Sequence, residues 1–440
     1  MAERGNIALN IFRIPELRRR VFFTLLMLVI FRIGAYIPVP GIDVVALERL
    51  FQQTGGGLLG FLDLFAGGAL RRFTIFSLGI MPYITSSIIL QLLTVVIPAL
   101  ERLSKEGEVG RKKIQQLTRV VTVGICAVQS YALTVFMKSN PGVVVNPGIG
   151  FTITAIVGIT AGTIFLMWIG EQITERGIGN GISLLIFIGI VARIPVAFKQ
   201  VYDHLKIGDL NPVVLILSLG IFVVIVAFVI LEQQGQRRIP IQHAKKIVGR
   251  KVYSAQATYI PLKINPSGVI PIIFASSVLL FPAQIAQSFG ARIPAFDKLA
   301  ALLAPGRVLY LVLYALLIIF FTYFYTQIQL NPIDIADNLK KVGGYIPGIR
   351  PGANTAAYLQ KVLNRIVLPG SIFLAMIALI PTIIQRWLNL PSAMAYLMGG
   401  TSLLIMVGVD LDTMKQIESH LLMRHYDGFM KRGKIRGRNL

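Results

Sequence analysis

The sequence has few charged residues and a single cysteine, and each shortage excludes a class of protein. Only 14% of the 440 residues are Asp, Glu, Lys or Arg, whereas soluble domains carry about 25%. The one cysteine, Cys126, lies inside an apolar run, which excludes an intrachain disulfide and a cysteine-based metal site. With 55% hydrophobic residues, the composition predicts a membrane protein that crosses the bilayer many times.

Titratable groups are nearly missing from the long apolar runs. Arg32 and Arg193 lie near the ends of theirs, from where they could snorkel to the interface. Ion-coupled carriers usually keep charged groups near the bilayer midplane, so the sequence argues against a proton-coupled carrier. The sequence also has no phosphate loop of the G-x-x-x-x-G-K type and no catalytic constellation. We therefore expect no enzyme activity, no cofactor and no metal in this chain.

Apolar runs of about the length that crosses a bilayer recur ten times. They lie at 21–36, 73–97, 120–137, 151–170, 181–198, 212–231, 267–289, 308–327, 366–385 and 391–409. The formal net charge is +23, and most Lys and Arg residues fall before the first run, in alternate loops or in the tail. The positive-inside rule then predicts an all-α polytopic protein with ten transmembrane helices and both termini in the cytoplasm.

The ten runs form two halves of five. Equal halves with an odd number of spans run in opposite directions, as inverted repeats do. We therefore expect a cytoplasmic segment (1–20), a first half (21–200), an external hinge loop (201–211), a second half (212–411) and a cytoplasmic tail (412–440). The second half contains two long, basic cytoplasmic loops, 232–265 and 329–365.

The stretch 58–70 is apolar, rich in glycine and carries one acid, Asp63. It is too short to cross a bilayer, and it leads into 73–97, which contains no Lys, Arg, Asp or Glu. A short apolar piece that feeds a full span is typical of a re-entrant segment. Such a segment is tolerated only inside protein or a water-filled cavity, so the sequence predicts a cavity within the membrane.

Two residue patterns inside the runs leave alternatives open. Ile80 and Ile84, like Ile182 and Ile186, are four residues apart and share a helix face. They could form a hydrophobic constriction or be ordinary core and lipid-facing residues. The polar residues in the runs are neutral, and they could join helices by hydrogen bonds or form a contact that parts at modest cost.

Several strings together resemble the SecY/Sec61-alpha family. They are Ile37-Pro38-Val39-Pro40-Gly41-Ile42-Asp43, Gly79-Ile80-Met81-Pro82-Tyr83-Ile84, the run from Leu166 to Ser183 (LMWIGEQITERGIGNGIS), Gly268-Val269-Ile270-Pro271, Ala336-Asp337-Asn338-Leu339-Lys340-Lys341 and Pro347-Gly348-Ile349-Arg350-Pro351-Gly352. They occur in the family's order along nearly the whole chain, and the Gly170–Ser183 string is the most specific of them.

The resemblance implies a protein-conducting channel with two pseudo-symmetric halves, a central pore and a re-entrant plug helix. It implies a pore ring of Ile80, Ile84, Ile182, Ile186, Ile273 and Ile405. It implies a plug of Leu58, Leu59, Gly60, Phe61, Leu62, Asp63, Leu64, Phe65, Ala66, Gly67 and Gly68. It implies a lateral gate lined by Thr85, Ser86, Gln91, Gln129, Asn265, Ser276 and Phe281. Docking of a motor or a ribosome would use Arg237, Arg238, Lys245, Lys246, Arg250, Lys251 and Arg350.

The partners that the resemblance implies are the SecE and SecG subunits, the SecA motor ATPase, the ribosome, signal sequences and nascent polypeptides. The positive charge adds anionic lipids. The implied location is the bacterial cell membrane. One alternative is a secondary transporter of small molecules with inverted repeats, and another is a scaffold that anchors ribosomes through its basic loops.

Overall fold

The structure is a computed structural model that describes residues 14–53, 58–208, 211–243, 246–248, 251–253, 258–290, 307–388 and 400–432. The described residues form fifteen α-helices, one 3-10 turn and five short strands. The first part of the chain contains α1 (Pro15–Gly34), α2 (Val44–Gln53), α3 (Leu58–Phe65), the 3-10 turn (Leu70–Arg72), α4 (Met81–Val96), α5 (Pro98–Lys105), α6 (Glu108–Ser139), α7 (Ile149–Arg176), α8 (Gly181–Val191) and α9 (Ile194–Ile207).

The second part of the chain mixes helices with a small amount of sheet. It contains α10 (Pro212–Gln234), β1 (Gln236–His243), β2 (Lys246–Val248), β3 (Lys251–Tyr253), β4 (Thr258–Lys263), α11 (Ile270–Gly290), α12 (Val308–Gln329), α13 (Pro332–Lys341), β5 (Gly344–Tyr345), α14 (Ala353–Leu388) and α15 (Gly400–Arg432).

Each of the ten predicted apolar runs overlaps a helix. In the described part of the chain, six helices are long and apolar enough to span a membrane, or seven if the bent pair α4 and α5 counts as one span. A shorter apolar helix covers Ile270–Leu279. The all-α, multi-span prediction is confirmed, and the count of ten is consistent with these helices.

Local sequence explains where many helices begin. Proline lies in the first turn of α4, α5, α10 and α13, where its missing N–H is not needed and its fixed φ suits the helix. The side chains of Asn180, Asn211 and Asn331 cap α8, α10 and α13 by accepting backbone N–H groups. Sequence therefore fixes several helix starts without any tertiary contact.

Contacts divide the chain into two compact units. The first consists of Met1–Lys199, Pro282–Ala300 and Ile405–Leu440, and the second of Gln200–Phe281 and Ala301–Leu404. In the first unit, α6 packs against α4 and α7, and α7 packs against α1 and α8. A side chain at Gly162 of α7 would have its Cβ 2.0 Å from the carbonyl oxygen of Ile75, so glycine is needed where α7 meets the segment that precedes α4.

In the second unit, α14 packs against α10, α12 and α13. Outside these helices, the strands form a sheet in the order β4-β1-β5, in which β1 runs antiparallel to both neighbours. The sheet joins the two long loops, because β1 and β4 belong to the first loop and β5 to the second. Its apolar side rests on α14 through a buried cluster of Ile239, Leu262, Ile346, Leu359, Val362, Leu363 and Ile366.

Candidate functional site

The stretch 58–70 contains a short helix, α3, as the sequence predicts. The helix is eight residues long, and the 3-10 turn follows at Leu70–Arg72. Helix α3 packs against α8 and against that turn. For Leu58, Leu59, Phe61 and Leu64 the side chains lie outside the described residues. Gly60, Phe65, Ala66 and Gly67 are buried, so protein surrounds this segment on the described sides.

Asp63 of α3 is fully buried and holds four groups with its carboxylate. Its Oδ1 accepts hydrogen bonds from the backbone N–H groups of Leu70 and Arg71, both at 3.1 Å. Its Oδ2 lies 3.2 Å from Nε of Arg71 and 3.0 Å from Nη2 of Arg193. A buried carboxylate is stable only when it is paired and hydrogen-bonded, and Asp63 meets this condition from two different parts of the first unit.

Arg32 makes a second polar contact to the same segment. Its Nη1 donates a 2.9 Å hydrogen bond to the carbonyl oxygen of Gly67. Both Arg32 and Arg193 therefore bind the α3 segment, so the expectation that they simply snorkel to the interface is wrong. The physical reason is that a buried carboxylate and a free carbonyl offer partners within reach. One acid in an uncharged stretch and two lone arginines in apolar runs were the sequence signal for this arrangement.

The α3 segment also touches α8 at close range through two glycines. A Cβ added at Gly67 would lie 2.9 Å from Cα of Gly189, and one added at Gly189 would lie 3.3 Å from Cα of Gly67. Gly67 has a φ of +65°, a region that side chains rarely adopt. The backbone of the segment therefore approaches α8 so closely that a side chain at Gly67 would not fit without a shift.

The six isoleucines of the expected ring are distributed over both units. Ile80, Ile84, Ile182, Ile186 and Ile405 belong to the first unit and Ile273 to the second. Ile80 occupies the N-cap position of α4, and its carbonyl oxygen accepts the N–H of Ile84 at 3.2 Å. These two residues therefore lie one helical turn apart. All six are buried except Ile182, which is half-buried. Their assignment to a ring stays a prediction.

The neutral polar side chains of the expected gate bond within their own segments. The hydroxyls of Thr85, Ser86 and Ser276 donate to the carbonyls of Met81, Pro82 and Ile273 at 3.1, 2.7 and 2.9 Å. Further bonds run from Gln91 to the hydroxyl of Ser87 and from Asn265 to the carbonyl of Gly268. Gln129 is buried in α6, and the side chain of Phe281 lies outside the described residues. These hydrogen bonds stay within one helix or loop. The sequence alone could not distinguish them from hydrogen bonds that join two helices.

Three basic residues expected to dock partners have described side chains, and they lie on the sheet and its neighbouring turn. Arg237 and Arg238 are exposed on β1, and the guanidinium of Arg238 lies over the ring of Tyr259, 4.8 Å from its centroid. Arg350 is exposed on a turn in which Gly348 and Gly352 have positive φ. Lys245 and Arg250 lie outside the described residues, as do the side chains of Lys246 and Lys251.

A charged cluster between α6 and α7 was not expected from the sequence. Glu171 accepts from Nε and Nη2 of Arg119 at 3.0 and 2.8 Å, and from the amide of Gln115 at 3.0 Å. The Glu171 side chain is 11% exposed. Glu171 belongs to the specific 170–183 string, but its partner lies on another helix, so only the fold identifies the pair.

The chemistry of a metal centre is not found among the described residues. No group of three or more His, Cys, Asp or Glu side chains there could hold a metal ion. The polar groups of the site instead serve to hold helices and a short internal segment in place.

Comparisons with known proteins agree with this geometry. The sequence profile of the SecY family matches residues 74–414. The chain is 47% identical to the protein translocase subunit SecY of Thermotoga maritima over 438 residues, which cover 98% of each chain. It is 47% identical to the subunit of the same name from Escherichia coli, with 96% of both chains covered.

Solved structures show the same fold. A protein-conducting channel matches with a TM-score of 0.63 at 18% identity, covering 91% of this chain and 92% of the other. A SecY structure, described as one whose plug domain stabilises the closed state of the channel, matches with a TM-score of 0.65 at 20% identity and the same coverage. Canine Sec61 in a ribosome–channel complex matches with a TM-score of 0.61 at 18% identity, again with the same coverage.

Proposed function

Because this chain belongs to the SecY family, we propose that it forms the protein-conducting channel of a Sec translocon. Unfolded secretory polypeptides pass through it across the membrane, and transmembrane segments leave it sideways into lipid. The observation that carries the proposal is the similarity to protein translocase subunits along nearly the whole of both chains. The channel itself performs no catalysis in this proposal, and a partner that hydrolyses ATP supplies the work.

The segment 58–70 acts as the plug. Its helix is too short to cross a bilayer, and spanning helices of the first unit hold it through Arg32, Arg193 and the Gly67–Gly189 contact. Irregular backbone at membrane depth is tolerated only inside protein or a water-filled cavity. The resting plug fills such a cavity, and an entering polypeptide displaces it.

The six isoleucines form the constriction of the pore. Apolar side chains offer an entering chain no fixed hydrogen-bond partners, so a ring of them accepts any sequence. Such a ring also opposes ion flow, because a narrow apolar passage dewets. Ile80 and Ile84 support this role by standing one above the other at the start of α4.

The lateral gate lies along α4 and α11, and it opens at low cost. The hydroxyls of Thr85, Ser86 and Ser276 bond within their own helices, so separating the gate helices would leave these hydroxyls satisfied. A segment that enters lipid gains roughly 0.3–0.6 kcal/mol for each central Leu, Ile, Phe or Val and loses about 2.5–3.5 for each charge. This difference sorts transmembrane segments from secreted ones.

The joined cytoplasmic loops form the docking surface for partners. We assign SecA and the ribosome to the surface that bears Arg237, Arg238 and Arg350, together with Lys245, Lys246, Arg250 and Lys251. The sheet β4-β1-β5 supports the assignment, because it ties both basic loops into one rigid platform. SecE and SecG are the further subunits, and the chain lies in the cell membrane with both termini in the cytoplasm and anionic lipid around its basic loops.

Reconstitution tests the proposed function. The chain is placed in vesicles with a SecE-like subunit and an ATP-driven motor, and a secretory precursor is added. We expect the precursor to become protected from protease only when ATP and its signal sequence are present. Uptake of a small molecule by the chain alone would support the transporter instead. Ribosome binding without any protected precursor would support the scaffold.

A further inference from the structure

We propose that Asp63 and Arg193 form an ionic latch that holds the plug to the first unit and sets how readily the channel opens. This inference rests on the proposed function and adds positioning residues to it. The pair joins α3 to the short break between α8 and α9, where Arg193 lies. Oδ2 of Asp63 and Nη2 of Arg193 are 3.0 Å apart.

The contacts of Asp63 divide into local and scaffold contacts. The backbone N–H groups of Leu70 and Arg71 and the guanidinium of Arg71 lie within eight residues of Asp63 in the sequence. They belong to the plug and the turn that follows it, so they can move together with it. Arg193 is 130 residues away in the chain and belongs to the spanning scaffold. Of the charged groups around Asp63, therefore, Arg193 is the one whose ion pair must break when the plug leaves.

The surroundings of Asp63 make that ion pair matter. The Asp63 side chain has no exposed surface, and that of Arg193 is 18% exposed. Phe65, Ala66, Ala69 and Leu70 around it are all at most 3% exposed. Because little water can replace a lost partner there, removing Arg193 costs the seated plug a buried ion pair to the scaffold and leaves Asp63 with only its local contacts to Leu70 and Arg71. The seated plug is thus stabilised by the pair and destabilised when only one member remains.

The second scaffold contact has a different character. Arg32 donates to the carbonyl oxygen of Gly67, a neutral acceptor that tolerates the loss of one donor better than a buried charge does. The latch therefore consists of the Asp63–Arg193 pair, and the Arg32 contact orients the turn at the end of the plug.

The experiment compares four variants in planar bilayers, with the chain reconstituted alongside its SecE-like partner. The variants are Arg193→Gln, Asp63→Asn, the double variant and Arg193→Lys. Resting ion conductance is measured without precursor or motor, and transport of a precursor with a weakened signal sequence is measured separately. For Arg193→Gln we expect the resting conductance to rise on the order of tenfold, since the seated plug loses its ion pair to the scaffold while the pair with Arg71 can move with the plug.

The double variant and a matched control identify the interaction. If the two residues act through each other, the double variant should leak no more than the worse single variant. Arg193→Lys keeps the charge and should leak less than Arg193→Gln. Arg72→Gln is the control, because it also replaces an arginine by glutamine, next to Arg71, but the Arg72 guanidinium lies over Tyr36, 4.1 Å from its ring centroid, rather than at Asp63. It should leave the resting conductance within about twofold, as expected for an exposed charge.

The outcomes separate the latch from the channel assignment. The latch would be overturned if Arg193→Gln changed neither the resting conductance nor the transport of the precursor with a weakened signal sequence. The proposed function would still stand if the wild-type channel transported precursor normally. Additive effects in the double variant would also overturn it. Ion leak in the variants without any precursor transport by the wild type would support the latch and remove the protein-conducting role. Thermal unfolding of each variant shows that the protein is folded when the conductance is read.

Discussion

At the scale of single residues, the buried acidic groups among the described residues of the first unit have identified partners. Asp63 meets Arg71 and Arg193, and Glu171 meets Arg119. A buried ion pair adds little to stability compared with apolar residues of the same size, yet breaking it is costly. Such pairs therefore define one arrangement rather than strengthen it.

Gly67 gives a prediction at this scale. Gly67→Ala and Gly68→Ala both place a side chain at positive φ, which costs roughly 1–2 kcal/mol. At Gly67 the new Cβ would also lie 2.9 Å from Cα of Gly189, whereas at Gly68 it would meet nothing within 4 Å. We expect Gly67→Ala to raise the resting conductance well above that of Gly68→Ala. Equal conductance of the two variants would show that the plug does not rest on α8.

At the scale of helices and strands, polar groups fall into two kinds. The hydroxyls of Thr85, Ser86, Ser276 and Ser277 in α4 and α11 bond within their own helices, whereas Glu171 of α7 bonds across to Gln115 and Arg119 of α6. The first kind lets helices separate without losing hydrogen bonds, and the second kind holds helices together. In the first unit, α4 packs against α6 and α7, which the bonds of Glu171 tie together.

The tied pair predicts a stability difference. Glu171→Gln should lower the free energy of unfolding by about 1–3 kcal/mol, because it leaves a partly buried Arg119 without its counter-charge. The control is Glu101→Gln in α5, where Lys105 donates a hydrogen bond to an exposed carboxylate and thereby lowers the pKa of Glu101. An exposed pair of this kind contributes little. Thermal unfolding in detergent measures the stability of both variants. Equal losses of stability in Glu171→Gln and Glu101→Gln would contradict the stabilising role of the Glu171–Arg119 pair.

The gate also gives a prediction for helices. Cysteines at Thr85 and Phe281, in a chain with Cys126→Ser, are joined by a short crosslinker. If α4 and α11 form the lateral gate, the joined channel should stop accepting signal sequences, and precursor protection should fall to background. Reduction of a cleavable crosslinker should restore it. Normal secretion through a fully crosslinked channel would remove the gate assignment for these two residues.

At the scale of the whole molecule, the platform formed by the sheet β4-β1-β5 is held both by apolar packing on α14 and by contacts between the two long loops. The platform has its own apolar cluster beneath the sheet, and Tyr345 of one loop donates a 3.2 Å hydrogen bond to Gln242 of the other. The two long loops are thus one structure. The turn at Arg350 is therefore connected through β5 to β1, the strand that carries both Arg237 and Arg238.

Arg350→Glu tests that surface. Reversing the charge on an exposed turn should weaken motor-driven transport several-fold while the chain still inserts and folds, since exposed charges contribute to partner binding and on-rate rather than to the fold. Lys361→Glu makes the same charge change at an exposed position of α14, away from the turn, and should have a smaller effect. Unchanged ATP-dependent transport in vesicles for Arg350→Glu would contradict the docking role.

Much of this protein was determined by sequence alone. The scarcity of charge and the ten apolar runs predicted a multi-span helical protein, and the short apolar, glycine-rich stretch at 58–70 predicted a short internal segment. The reason is that the bilayer acts residue by residue. Each charge is penalised and each backbone group must be satisfied within its own helix, so a linear pattern carries the information.

Tertiary structure decided which groups meet. Asp63 finds Arg193 from 130 residues away, Glu171 finds Arg119 on another helix, and β5 joins a strand from the other loop. Ion pairs and strand pairings between distant residues leave no periodicity in the chain. The sequence is compatible with an Arg193 that reaches the membrane interface and with one that pairs with Asp63. The packing of α3 against the 3-10 turn and α8 places the Asp63 carboxylate within reach of the guanidinium groups of Arg71 and Arg193.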